Sequence, residues 1–230
     1  MQEFTGKNAV VTGAAAGIGL ALVHALAAEG MNVVVADLNA EAAQAVAAEL
    51  RTTGVSSIGL GVDVSQLGQV QRLAAVARQE LGDIHLLVNN AGIDGYRGGA
   101  IWQADDADWA RSMGVNFDGV VNGLRAFVDD MIAHGQPAHI VNTGSESGLW
   151  RASSMYGLTK HAVVALTEVL EAQLARQRPD SEPVFTMCAG CPCAIMSSTK
   201  ARSPFTTPSK LTPIDLAQSA SSACQIAPPR

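Results

Sequence analysis

Along the first 190 residues, short apolar runs alternate with longer stretches in which apolar residues recur every three or four positions. The runs are Asn8–Thr12, Asn32–Asp37, Ser57–Asp63, Ile84–Asn89, His139–Gly144 and Pro183–Cys188. They are rich in Val and Ile and almost continuously apolar, which predicts strands buried on both faces. Between them, Ile18–Glu29, Ala40–Arg51 and Gln66–Leu81 carry Ala, Leu and Glu at helical spacing. Asp105–His134 holds one or two further helices and Met155–Arg178 another. This alternation predicts an α/β fold, a single doubly wound parallel sheet with right-handed crossovers and helices on both faces.

The pattern stops after Cys188. From Ala189 to Arg230 there are seven Ser, four Thr and six of the nine Pro, and Asp215 is the only acid. This composition reads as loop or partial disorder, with neither a clear strand nor a long helix, except a short helical stretch near Ile214–Ala223. Residues 1–190 are therefore expected to form the main domain, and 191–230 an atypical substrate-loop and C-terminal segment of that same domain, with a doubtful final strand.

Composition then narrows the function. A chain of 230 residues with 48% hydrophobic content can bury a core without staples. Its net charge of -6 and the lack of any long basic run argue against a nucleic-acid surface and a polybasic membrane patch. The start, MQEFTGKNAVVTG, lacks the basic and apolar segments of a signal peptide, and no stretch of about 18 apolar residues exists. A cytoplasmic protein is expected. Cys188, Cys191, Cys193 and Cys224 lack a second ligand pair and a neighbouring His, so small buried thiols are expected in place of a metal site.

The first strand runs into Thr12-Gly13-Ala14-Ala15-Ala16-Gly17-Ile18-Gly19, which opens a helix. Glycines permit a tight turn and close backbone approach, and the helix N-terminus offers unpaired N–H groups to a pyrophosphate. Its place after the first strand of a βαβ unit makes it a Rossmann-type dinucleotide site. Asp37 ends the second strand, 18 residues past Gly19. A carboxylate there would bond both ribose hydroxyls of NAD and repel the extra phosphate of NADP. Ala16, where a basic residue could have met that phosphate, and Leu38 after Asp37 point the same way. The alternative is that Asp37 caps the next helix.

Tyr156-Gly157-Leu158-Thr159-Lys160 opens the last predicted helix, and four-residue spacing puts Tyr156 and Lys160 on one face. A phenol ordinarily holds its proton until about pH 10. A nearby ammonium favours the phenolate, so Tyr156 could exchange a proton with a substrate oxygen. Ser145 closes the fifth strand, where ligands bind in such sheets. Its hydroxyl could hold the substrate oxygen, or the residue could be a turn serine.

These residues resemble the short-chain dehydrogenase/reductase family, in the branch marked by T-G-x-x-x-G-I-G and Y-x-x-x-K. The resemblance covers residues 6 to about 190. Asn89-Asn90-Ala91-Gly92 is similar to the family's N-N-A-G, which lines the cofactor, and Asp63-Val64 to the pair that meets the adenine. Asn116, in Val115-Asn116-Phe117, corresponds to the family's catalytic Asn. The resemblance implies a tetrad of Asn116, Ser145, Tyr156 and Lys160. In it, Lys160 also holds the nicotinamide ribose and Asn116 positions a water that relays protons to Lys160. It implies NAD as cofactor, a small alcohol or carbonyl substrate, and a homodimer or homotetramer.

Two departures follow. The Ser145-to-Tyr156 spacing of 11 trims the loop beside the pocket. After the sixth strand, Ala189 replaces the family's Pro, Gly190 keeps its cofactor-contacting Gly, and Ala194 stands where a Thr should hold the nicotinamide amide. The altered end reads as a rearranged or frame-altered segment, or as a diverged loop that orders on binding. It leaves a second reading open, a dinucleotide-binding protein without turnover or an inactive product. A carbohydrate epimerase or dehydratase on the related longer fold is a third. Trp150, Met155, Asp94, Tyr96 and Trp102 are candidates for an apolar substrate pocket, and Glu146 for a polar contact. His24 and His161 read as structural. Val163, Val164, Leu166, Val169, Leu170 and Leu174 suit core packing plus a subunit face.

Overall fold

The computed structural model describes residues 3–149, 152–177, 184–188 and 195–197. The strands are β1 (Asn8–Thr12), β2 (Asn32–Asp37), β3 (Ser57–Gly61), β4 (Leu86–Asn89), β5 (His139–Thr143), β6 (Val184–Cys188) and β7 (Ile195–Ser197). The helices are α1 (Gly17–Ala28), α2 (Ala40–Arg51), α3 (Leu67–Leu81), α4 (Asp106–Met113), α5 (Gly119–Ala133) and α6 (Met155–Gln177). The strands pair in the order β3-β2-β1-β4-β5-β6-β7. All pairs are parallel except β6 with β7. The order reverses between β1 and β4, and in such sheets ligands bind beyond the strand ends at that switch point.

Both faces are covered, which explains the continuous apolar strands. Ala9 and Val11 of β1, with Val33 and Val35 of β2, pack against Leu22, Leu26, Ala43 and Leu50 of α1 and α2. Val10 and Val34 point the other way, onto Leu73, Leu124, Phe127 and Met131 of α3 and α5. Successive residues of one strand thus feed opposite layers.

The expected elements are present, with β3, β4 and β5 shorter than the runs that signalled them. After Gly61 the chain turns away, as Val62 N–H bonds the Asp37 carbonyl at 2.7 Å and Asp63 accepts from the backbone and hydroxyl of Ser65. Asp105–His134 resolves into α4 and α5 joined by a π-helical turn, Gly114–Asp118. The expectation of no strand beyond Cys188 is corrected. Ile195–Ser197 runs antiparallel to β6, Ile195 opposite Cys188. Three residues give too short a period to be seen in sequence, and only the ladder to β6 defines them. The stretch near Ile214–Ala223, like Cys191, Cys193 and Cys224, lies outside the described residues. No described helix is long and apolar enough to cross a membrane.

Candidate active site

A cleft of about 730 Å3 opens at the C-terminal ends of the strands. Its wall at β1 is the glycine turn, and each glycine there answers a different constraint. Gly17 takes a left-handed φ of 55° in open space, so conformation alone requires it. Gly13, at φ 62°, also lies so near β4 that a Cβ would come 2.8 Å from Ala91 Cα. Gly19 is excluded from carrying a side chain by space. A Cβ would sit 2.1 Å from the Gly13 carbonyl oxygen and 2.7 Å from Asn90 Nδ2.

Ala16, at the N-cap of α1, has no side-chain acceptor for the free N–H groups behind it, and the first turn holds no acid. Ala16, Gly17 and Ile18 line the cleft. A bare helix N-terminus approached by glycine backbone fits a pyrophosphate, through unpaired donors and the positive end of the helix dipole.

Asp37 and Leu38 form the next stretch of wall. Asp37 accepts from Ala15 N–H at 3.0 Å and Asn39 N–H at 3.0 Å, one on each carboxylate oxygen. The helix cap is Asn39, whose side chain accepts from Ala42 N–H. Asp37 is therefore not the capping residue. It ties the glycine turn to the end of β2, with a second lone pair on each oxygen still open. Val62, Asp63 and Val64 continue the wall.

Asn90, Ala91 and Gly92 leave β4 into the same cleft. Asn90 Nδ2 donates to the Thr12 carbonyl at 2.9 Å, while the backbone N–H groups of Asn90 and Ala91 share Thr12 Oγ1 at 3.0 and 3.1 Å. Thr143 Oγ1 donates to Asn90 Oδ1 at 3.3 Å. One Asn therefore joins the ends of β1, β4 and β5.

At the reactive end, α6 presents Tyr156 and Lys160 to the cleft beside Thr143. The Lys160 ammonium lies 5.6 Å from the Tyr156 ring centre and donates to the Thr143 carbonyl at 2.7 Å. Lys160 is 2% exposed, and burial pushes its pKa down to about 8. The sign of the consequence is definite. Below pH 8 both folded and unfolded states hold the proton, and the cost of burying the charge is complete. Between about 8 and the ordinary 10.5 the native state alone has shed it, so stability rises with pH through that window. We predict that the stability of wild type relative to Lys160→Met improves by on the order of 1–2 kcal/mol from pH 7 to 9.5. Urea titrations at both values check this, and a pH-independent difference would refute it.

Other expected residues fall differently. Ser145 is half-buried, lies outside the cleft lining, and accepts from Ser147 N–H at 3.2 Å as the cap of the short turn Glu146–Gly148. Asn116 is fully buried in the π-helical turn. Its Oδ1 accepts from Ile93 N–H at 2.7 Å, and its Nδ2 donates to the Ile93 carbonyl at 2.8 Å and to Thr159 Oγ1 at 3.1 Å. Both amide hydrogens are thus committed to protein groups. Ala15 and Gly19 support the glycine turn from behind the lining. Gly190 and Trp150 lie outside the described residues.

Among the pocket candidates, Asp94 lines the cleft, where it pairs with Arg97. Met155 is instead a core residue at 1% exposure and Trp102 is 83% exposed. Tyr96 covers Gly98, and Glu146 is exposed. His161 bonds the Gly157 carbonyl within α6, while His24 sits 3.9 Å from Glu49.

Several residues of the site gave no sequence signal. Thr143, Ile93 and Arg111 belong to it through packing. Gly148 and Gly157 let the Glu146–Gly148 turn press on α6. A Cβ at Gly148 would meet the Lys160 backbone at 2.7 Å, and one at Gly157 the Ser147 carbonyl at 3.2 Å. Gly spaced one helical turn before Lys160 was the only available hint.

Comparison with known proteins agrees with this geometry. The profile described as short chain dehydrogenase matches residues 7–201. The chain is 38% identical over 186 residues to 1-deoxy-11-beta-hydroxypentalenate dehydrogenase of Streptomyces exfoliatus, covering 80% of this chain and 66% of that one. It resembles a short chain dehydrogenase/reductase from Burkholderia phymatum solved with NAD, with 42% identity, a TM-score of 0.76 and coverage of 81% of this chain and 66% of that one. A metagenomic short-chain oxidoreductase solved with NADP matches with 26% identity, a TM-score of 0.76 and coverage of 97% and 92%. The chain thus spans just under two thirds of the length of the first two. With the profile matched over most of the chain, and the sheet order and glycine turn in place, the chain belongs to the short-chain dehydrogenase/reductase family.

Proposed function

We propose that the chain is an NAD-dependent oxidoreductase acting on a secondary alcohol or ketone, with Tyr156 as acid and base. One observation carries the reading. A single cleft is lined by the glycine turn at a helix N-terminus, by Asp37, and by Tyr156 with Lys160. The relatives named as dehydrogenases support the same chemistry.

The residues fit a dinucleotide in a definite order. Gly13, Ala15, Ala16, Gly17, Ile18 and Gly19 would take the pyrophosphate, Asp37 and Leu38 the adenosine ribose, and Asp63 and Val64 the adenine. Asn90, Ala91 and Gly92 would line its middle, and Lys160 would hold the nicotinamide ribose. When bound, the dinucleotide supplies the hydride acceptor or donor. Tyr156 takes the proton of the substrate hydroxyl in oxidation and returns it to the carbonyl oxygen in reduction. Lys160 places positive charge beside the phenolate that forms. Ser145, although outside the cleft lining, accepts from Ser147 and keeps its own O–H, which would donate to a substrate oxygen beside Tyr156. Asn116 fixes Ile93 at the cleft wall, so a water on the Lys160 path would find no free amide hydrogen there.

Residues 191–230 are read as part of the same domain, because the chain returns at Ile195–Ser197 to pair with β6. The outer side of α6 leaves Leu158 and Val169 exposed, which suits pairing with a second copy. The altered residues Ala189 and Ala194 leave one alternative, dinucleotide binding without turnover.

Calorimetric titration with NADH and NADPH, followed by a screen of secondary alcohols, tests the reading. NADH is expected to bind at least about tenfold more tightly, a difference of roughly 1.4 kcal/mol. Asp37→Ala should erase that preference by losing ribose bonds and relieving repulsion of the 2′-phosphate. Equal binding of both dinucleotides by wild type would overturn NAD specificity. Binding without turnover would favour the alternative.

A further inference from the structure

Thr159 lies between Tyr156 and Lys160 in the first turn of α6, yet it points away from the cleft and is completely buried. Its hydroxyl donates to the Tyr156 carbonyl at 2.8 Å, a back-bond that helical Thr commonly makes. The second bond is not generic. Thr159 Oγ1 also accepts from Asn116 Nδ2 at 3.1 Å, and Asn116 clamps both backbone groups of Ile93. Ile93 is part of the cleft wall. A continuous chain of hydrogen bonds therefore runs from that wall through the π-helical turn to the backbone of Tyr156. The opposite side of the same turn is pressed by the Glu146–Gly148 segment at Gly148 and Gly157. Between these two restraints the rotation of α6 about its own axis is set, and with it the direction of Tyr156 and Lys160.

We infer that Thr159 is a positioning residue, whose hydroxyl couples Asn116 to the first turn of α6 and thereby holds Tyr156 and Lys160 toward the cleft. The inference rests on the proposed reading of Tyr156 and Lys160 as the reacting pair. Valine matches threonine in shape and removes only the hydroxyl, while serine keeps the hydroxyl and removes a methyl. Thr159→Val should lower kcat by about 10- to 100-fold, as expected for a small misplacement of reacting groups. The dinucleotide KM should change several-fold less than kcat, because the glycine turn and Asp37 are untouched and only the Lys160 contact to the nicotinamide ribose shifts. Thr159→Ser should restore most of the rate. Thr159→Val combined with Asn116→Ala should cost little more than Asn116→Ala alone, since both cut one chain of bonds.

A readout free of turnover comes from the tyrosines, of which the chain has two. In a ring-labelled NMR spectrum of the full chain, Thr159→Val should displace the Tyr156 resonance and leave that of Tyr96 in place, and Thr159→Ser should return it. Wild-type kcat and an unmoved Tyr156 resonance in Thr159→Val would overturn the inference. If wild type turns over no alcohol, the functional reading fails and the Tyr156 resonance alone decides the role of Thr159.

Discussion

Tyr156→Phe is expected to abolish turnover, by about 10³-fold or more, while NADH binding stays within about threefold of wild type. The phenylalanine keeps the ring against the Lys160 ammonium, 5.6 Å from its centre, and removes only the hydroxyl proposed to exchange a proton. General acid–base catalysis by one side chain is worth about 10² to 10⁴ in rate. Most contacts assigned to the dinucleotide lie on other elements, from Gly13 to Gly92, and Lys160, the one on α6, is unchanged, so the two effects separate. Steady-state rates and calorimetry on the same preparation check this. Residual activity above about a tenth of wild type would mean that another group moves the proton.

Gly19→Ala is expected to cost both stability and cofactor binding. The new Cβ would lie 2.1 Å from the Gly13 carbonyl, a backbone atom that cannot swing aside. Overpacking of this kind costs about 1–3 kcal/mol, which corresponds to about 2–12 °C in Tm for a chain of this size. Displacing Gly13 also moves the turn whose N–H groups would meet the pyrophosphate, so NADH binding should fall at least about 100-fold. Gly59→Ala is the control. Its Cβ would meet the Ala43 carbonyl oxygen at 2.3 Å, a comparable clash where α2 crosses β3, away from the cleft. It should lower Tm similarly and leave NADH affinity of the folded protein within about threefold. Equal loss of binding in both variants would mean that binding reports only stability.

Fold class was legible because burial on both faces leaves a local mark. Val10 and Val34 feed one layer while Val11 and Val33 feed the other, so β1 and β2 had to be apolar throughout, and their ends were readable to the residue. The glycine turn was legible for a related reason. Left-handed φ at Gly13 and Gly17 demands a particular residue type at a fixed place after a strand. Asp37, Tyr156 and Lys160 followed from their positions relative to those elements.

What the sequence determined by itself, then, was the order of strands and helices, the dinucleotide turn and the pair on α6, each set by neighbours within a few residues. Tertiary structure decided what those groups touch. Asn116 clamps both backbone groups of Ile93, 23 positions away. Ser145 became a local cap outside the cleft lining. Met155 went to the core and Trp102 to the surface. Lys160 found the Thr143 carbonyl across 17 residues, and Ile195–Ser197 became a strand only because β6 was there to pair with it. Periodicity and φ are local quantities that a short window carries. Hydrogen-bond partners and burial across the sheet depend on which segments packing brings together, and no window of this sequence contains both.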